Sequence, residues 1–223
     1  MKNNNSFFET EYISVTAHTG CEDTPMNSLE SIAKAYESGA DIVEFDISFN
    51  KNNVPVLSHD KPNGGEITVE EAFIVLGEYK NLKVNLDIKG TENLTEVQNL
   101  AKKYNMLDRV FYTGVSEDFV EAVRKDSPEI MYYLNSWDIL PEKKQTEEYL
   151  LSIVEKIKGY GAIGLNFHYE NASEKLIDIL HKHGLLASLW TINTEKDFNR
   201  VLGMNPDNIT TKKPTLAKSI IKN

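Results

Sequence analysis

The chain is poor in cysteine, in basic charge and in long apolar runs, and each shortage excludes something. Cys21 is the single cysteine among 223 residues, so no intramolecular disulfide can form. No stretch approaches the roughly 18 consecutive apolar residues of a membrane helix. The opening run MKNNNSFFETEYISV lacks the apolar centre of a signal peptide, and the expected compartment is the cytoplasm. Lys and Arg number 24 against 34 Asp and Glu, a formal charge of −10. That balance disfavours non-specific nucleic-acid binding, which needs a basic face. It leaves room for an anionic substrate held by a local metal ion. Low-complexity tracts and linkers are also missing, and the length suits one domain over residues 1–223. Nothing in the sequence sets the oligomeric state.

What is present is ordinary for a globular protein, with 40% hydrophobic and 26% charged residues. A chain of this size buries a core without disulfides or structural metal. Strand and helix patterns alternate along it. β-branched and aromatic residues mark strands at 12–17, 41–49, 54–58, 83–88, 110–113, 130–134, 163–167, 185–190 and, weakly, 208–210. Helical spacing fills 28–38, 68–76, 93–104, a segment through Phe119, Val120 and Val123, then 146–157, 174–181, 195–202 and a last helix from Pro214. Gly39 stops the first helix, and Thr68 with Glu71 has capping-box spacing. Setting the short 54–58 segment aside leaves eight strand–helix units, which imply a single-domain TIM (β/α)8 barrel. An open Rossmann sheet fits less well, because no Gly-x-Gly-x-x-Gly follows the first strand.

The working face of such a barrel lies at the C-terminal ends of its strands. The out-of-place polar residues gather there: His18 after the first strand, Glu44 and Asp46 in the second, Asp87 and Lys89 closing the third barrel strand, and Trp190 closing the seventh. The run GADIVEFDISFNKNNVPVLSHD (39–60) shows the anomaly. Residues two apart on a strand share a side, so Glu44 and Asp46 project together while Val43, Phe45 and Ile47 project oppositely. Two buried like charges that close repel and raise a pKa. A divalent cation removes the penalty, Asp87 at matching height supplies a third ligand, and oxygen-only ligands favour Mg²⁺ or Ca²⁺. A carboxylate pair on a strand also occurs facing solvent or in salt bridges. His18 and His59, on loops flanking that position, have the chemistry of acid–base catalysts. His168 reads as a rim residue, and His181 and His183 sit at a helix C-terminus where the dipole favours them.

These motifs together resemble the glycerophosphodiester phosphodiesterase family. The run AHTG…TPMNSLESIAKAYESGADIVEFDISFNKNNVPVLSHD is similar to its His-Arg-Gly, Pro-Glu-Asn-Thr, Glu-x-Asp and His-Asp motifs in order. NLDIKG, LWTIN and TTKKP are similar to its Asn-Ile-Glu-Ile-Lys, Trp-Thr-Val-Asn and Thr-Asp-Arg-Pro. The resemblance spans residues 12 to about 218. It implies hydrolysis of a small-molecule glycerophosphodiester to an alcohol and glycerol 3-phosphate. It assigns Glu44, Asp46 and Asp87 to one divalent cation, His18 and His59 to acid–base catalysis, and Lys89 to the phosphate, with Thr19 and Trp190 as further substrate contacts.

Several positions depart from the family pattern. Thr19 stands in place of an arginine whose paired donors fork onto phosphate. Met26 replaces the box glutamate, Asp87 is one methylene shorter than a glutamate ligand, and Lys212 replaces an aspartate. The His-Thr-Gly-Cys run resembles a subset of the family. The insertion that many members carry after the second strand is very short here, which implies an open site. Two alternatives stay open: a lyase-type phospholipase forming a cyclic phosphate, and a non-catalytic barrel that binds phosphorylated ligands.

Overall fold

The computed structural model describes residues 13–136, 139 and 146–221. Its strands are β1 (Ser14–Ala17), β2 (Ile42–Phe49), β3 (Pro55–Leu57), β4 (Lys83–Ile88), β5 (Val110–Val115), β6 (Met131–Ser136), β7 (Gly164–His168), β8 (Leu186–Trp190) and β9 (Asn208–Thr211). The helices are α1 (Leu29–Glu37), α2 (Val69–Leu76), α3 (Leu94–Lys103), α4 (Val120–Asp126), α5 (Glu147–Tyr160), α6 (Glu174–Lys182), α7 (Glu195–Leu202) and α8 (Pro214–Ile221). Eight strands run parallel in the order β1-β9-β8-β7-β6-β5-β4-β2, and a β1–β2 pairing closes the ring. β3 folds back antiparallel onto the end of β2. The fold is the TIM barrel that the alternation implies. Tyr12, expected in the first strand, lies outside the described residues.

Local chemistry sets the element ends. Ser28 caps α1 by accepting from the Ser31 N–H, and Thr68 and Glu71 form the expected capping box on α2. Gly161, at φ 75°, ends α5 in a left-handed turn. The outward residues of β2, Val43, Phe45 and Ile47, are fully buried in the layer between barrel and helices. Inside the barrel, Ile42, Phe111 and Tyr133 form an apolar floor, the two rings 5.8 Å apart and edge-on.

One layer up, the interior turns polar. Thr16 Oγ1 donates to Asn208 Oδ1 at 2.8 Å, and Asn208 Nδ2 donates to Ser188 Oγ at 2.9 Å. On β2, β5 and β6 the i+2 repeat thus runs from an apolar base at Ile42, Phe111 and Tyr133 to the polar Glu44, Thr113 and Asn135 above. Two strands run further toward the barrel mouth than their apolar residues imply. β6 continues past Leu134 to Ser136, and β5 past Thr113 to Val115, with a register shift between Tyr112 and Val115. Gly114 lies at that irregularity with φ +74°, and a Cβ there would sit 2.4 Å from the Ile88 carbonyl and 2.8 Å from Asp87 Oδ1. Only glycine lets β5 pass that close to Asp87.

At the opposite end, two aspartates latch neighbouring strands. Asp41, just before β2, accepts from the Val15 N–H of β1 at 2.8 Å and from Lys218 Nζ of α8 at 2.5 Å. Asp207, just before β9, accepts from the Ala187 N–H of β8 at 2.7 Å and pairs with His181 Nε2 of α6 at 2.9 Å. The hydrogen bond to Asp207 raises the His181 pKa above its usual value. The pair's contribution is therefore complete below about pH 6.5 and fades as pH rises through that raised value. Asp207→Ala is expected to cost about 1–3 kcal/mol at pH 6, because it also strands a buried N–H. Urea unfolding of both proteins at pH 6 and pH 9 should show a smaller gap at pH 9.

Candidate active site

β2 and β4 build the centre of the mouth. Their parallel register sets Glu44 beside Asn85 and Asp46 beside Asp87. With alternating sides, all four point into the barrel. Among the described residues, Glu44, Asp46 and Asp87 form a cluster whose carboxylate oxygens lie within 4.8 Å of one another. Glu44 and Asp46 have side chains only 5% and 4% exposed. Burial first, then the charges of Asp46 and Asp87, push the Glu44 carboxyl well above its usual value.

Lys89 follows Asp87 on the same side. Its ammonium lies 3.0 Å from Asp46 Oδ1 and also pairs with Asp87 Oδ2. Burial alone would lower its pKa, but Asp87 and Asp46 outweigh that and hold it above the ordinary lysine range. Three acids against one ammonium leave an excess of negative charge in a buried place. The donor set is all oxygen, closely spaced and short of positive charge, so these residues fit one hard divalent cation.

His18 and His59 line the same cavity of about 260 Å³ as the three carboxylates, Lys89 and Trp190. Their environments differ. The His18 side chain is 22% exposed and that of His59 is 59% exposed. His18 Nδ1 lies 2.8 Å from the Thr19 carbonyl, which can only accept, so the proton sits on Nδ1 and Nε2 carries the free lone pair. Burial lowers the His18 pKa, against the opposing influence of that carbonyl and of Asp46. His59, two residues beyond β3, meets the Asp60 carboxylate with Nδ1 at 2.9 Å. β3 thus ties this histidine to the strand that carries Glu44 and Asp46.

One residue is placed differently from the sequence reading. Thr19, expected against substrate, is fully buried behind the cavity wall. Its N–H donates to Glu44 Oε2 at 2.7 Å and its hydroxyl is engaged by Asn27, so it supports Glu44 instead of facing the cavity. Trp190 does line the cavity, with the His168 ring edge-on at 5.2 Å. His168 thereby braces the tryptophan from the rim.

The sequence reading missed the neutral polar wall. Asn85, Thr113, Asn135, Asn166 and Thr210 all line the cavity. The Thr113 hydroxyl lies 2.8 Å from both Asn85 Oδ1 and Asp87 Oδ1, and Asn135 Oδ1 accepts from Asn166 Nδ2 at 2.9 Å and from the Gly114 N–H at 3.0 Å. The signal was there for Asn85, two residues before Asp87. For Asn135 it was hidden, because polar residues after an apolar run read as loop.

The profile of the Glycerophosphoryl diester phosphodiesterase family matches residues 18–72 and 71–216. A glycerophosphodiester phosphodiesterase of Caldanaerobacter subterraneus subsp. tengcongensis is 24% identical over 240 residues, covering 93% of this chain and 97% of that one. A human lysophospholipase D is 20% identical over 271 residues, covering 92% of this chain and 84% of that one. A solved Oleispira antarctica phosphodiesterase, in complex with the product sn-glycerol-3-phosphate, superposes with a TM-score of 0.79 at 19% identity, over 95% of this chain and 98% of that one. Among the described residues no helix is long and apolar enough to cross a membrane.

Proposed function

The chain belongs to the glycerophosphoryl diester phosphodiesterase family, and from that premise we propose that it hydrolyses a glycerophosphodiester to an alcohol and glycerol 3-phosphate with one divalent cation and two histidines. The observation that carries this reading is a single cavity lined by His18, His59, Lys89 and three clustered carboxylates. Glu44, Asp46 and Asp87 would hold Mg²⁺ or Ca²⁺. When bound, that ion supplies Lewis-acid stabilisation of the charge that grows on the phosphoryl oxygens.

The chain's own groups do the rest. Three carboxylates and a divalent ion sum to −1, which repels an anionic diester; Lys89 brings the first layer to neutrality. His18 serves as general base through Nε2, since its Nδ1 proton is committed to the Thr19 carbonyl. The proton comes from water, or from the substrate's own 2-hydroxyl in the cyclising variant. His59 serves as general acid, oriented by Asp60, and hands a proton to the departing alkoxide at the exposed side of the cavity. Trp190 offers an apolar face to the carbon skeleton.

The test is turnover of glycerophosphocholine followed by phosphorus NMR, with and without EDTA. Glycerol 3-phosphate should appear, EDTA should abolish its formation, and Mg²⁺ or Ca²⁺ should restore it. Metal-independent turnover would overturn the mechanism. A cyclic phosphate end product would favour the lyase, and tight binding of glycerophosphocholine without turnover would favour a non-catalytic barrel.

A further inference from the structure

The loop between β1 and α1 contributes Asn27, a residue outside the cluster of acids that nevertheless touches it twice. Its Oδ1 accepts from the Asp46 backbone N–H at 3.0 Å, and its Nδ2 donates to Asp46 Oδ2 at 3.0 Å. One planar amide thus grips the main chain and the carboxylate of the same residue. The backbone N–H, which can only donate, fixes which end of the amide is oxygen and which is nitrogen.

The strand pairing explains why the position is vacant for a side chain. β1 pairs with β2 only as far as Ala17 and Val43, and β3 takes up the pairing at Ile47 and Leu57. In the gap between, the Asp46 carbonyl is met by the Ser58 N–H at 3.0 Å, and the Asp46 N–H is met by Asn27. Asn27 reaches it from a left-handed backbone, φ 54°, one residue before the Ser28 cap of α1. Asparagine is among the few side-chain-bearing residues that take this conformation readily.

The grip extends to a second acid. Asn27 N donates to Thr19 Oγ1 at 2.5 Å, and that hydroxyl donates back to Asn27 Oδ1 at 3.2 Å. Thr19 in turn donates its N–H to Glu44 Oε2 at 2.7 Å. One oxygen of Asp46 is therefore tied to Asn27, while the other, Oδ1, meets Lys89 Nζ at 3.0 Å.

We infer that Asn27 is a positioning residue for the cation site: it ties one Asp46 oxygen so that the other is presented to the ion, and through Thr19 it sets Glu44. The inference rests on the cation reading given above and goes beyond it in naming the group that orders the ligands. Outer groups that orient metal ligands typically contribute 10–100-fold to affinity.

The experiment is calorimetric titration of EDTA-stripped wild type, Asn27→Ala and Asn27→Asp with Ca²⁺ and with Mg²⁺, alongside thermal unfolding of the stripped proteins. Aspartate keeps an acceptor for the Asp46 N–H but loses the donor and repels the carboxylate. Both variants are expected to bind 10–100-fold more weakly than wild type, with aspartate no better than alanine. Should alanine fail to fold, the near-isosteric aspartate variant carries the test. Wild-type affinity in Asn27→Asp would overturn the inference, as would a lowered melting temperature with affinity intact. A wild type that takes up neither cation overturns the cation reading and this inference with it; a binding wild type beside equally binding variants overturns this inference alone.

Discussion

His18→Ala is expected to lower kcat/KM for glycerophosphocholine by about 10²–10⁴-fold, the usual contribution of a well-placed proton-transfer group. The size follows from how the ring is held. Its Nδ1 proton is spent on the Thr19 carbonyl at 2.8 Å, so every neutral His18 has its lone pair on Nε2. Burial lowers its pKa, so the base is already neutral at pH 7. The acid limb of the wild-type profile of kcat/KM against pH should therefore have its midpoint below pH 6.5, the ordinary imidazole value. In His18→Ala that acid limb should disappear with the activity. Steady-state kinetics from pH 5 to pH 8 check both; a variant within fivefold of wild type would exclude His18 as the base.

Lys89→Met is expected to cost about 3 kcal/mol of stability in EDTA, because it removes the ammonium from among partly and fully buried carboxylates. The Lys89, Asp46 and Asp87 side chains are 25%, 4% and 17% exposed, so water screens little of the lost attraction. Saturating Ca²⁺ should recover much of that loss, since the ion takes over the neutralisation. Activity should stay low all the same, because the loaded cluster then carries −1 toward an anionic diester. Guanidinium unfolding with EDTA and with Ca²⁺, paired with kinetics, separates the two effects. An equal stability loss under both conditions would show that Lys89 and the ion do not share the same countercharge role.

How far the sequence reached is instructive at particular residues. The barrel was legible because apolar strands and amphipathic helices alternate eight times, and periodicity survives any detail of packing. Glu44, Asp46 and Asp87 were legible because ionisable residues interrupt apolar strands at shared height, which burial makes costly without a purpose. Thr19 misled, because adjacency to His18 says nothing about which way a loop residue turns. Its full burial follows from the hydrogen bonds with Asn27 and Glu44, partners 8 and 25 residues away. Asn135 was missed for a different reason: the apolar run ends at Leu134, yet backbone pairing with Asn166 and Phe167 continues the strand through polar residues. Asn27 was visible only as part of a family motif, since a neutral amide in a loop carries no charge or periodicity to betray its task.

The first and the ninth strands are neighbours in the ring. β1 pairs residue for residue with β9, Ser14 with Asn208 through Ala17 with Thr211, and the His18 N–H is anchored on the Thr211 carbonyl at 2.8 Å. A ribosome delivers β1 well before β9, with the other barrel strands between them. Until β9 emerges, β1 must wait with one edge unpaired, and His18 lacks its backbone anchor on Thr211. A product truncated before β9 therefore leaves the barrel open beside His18.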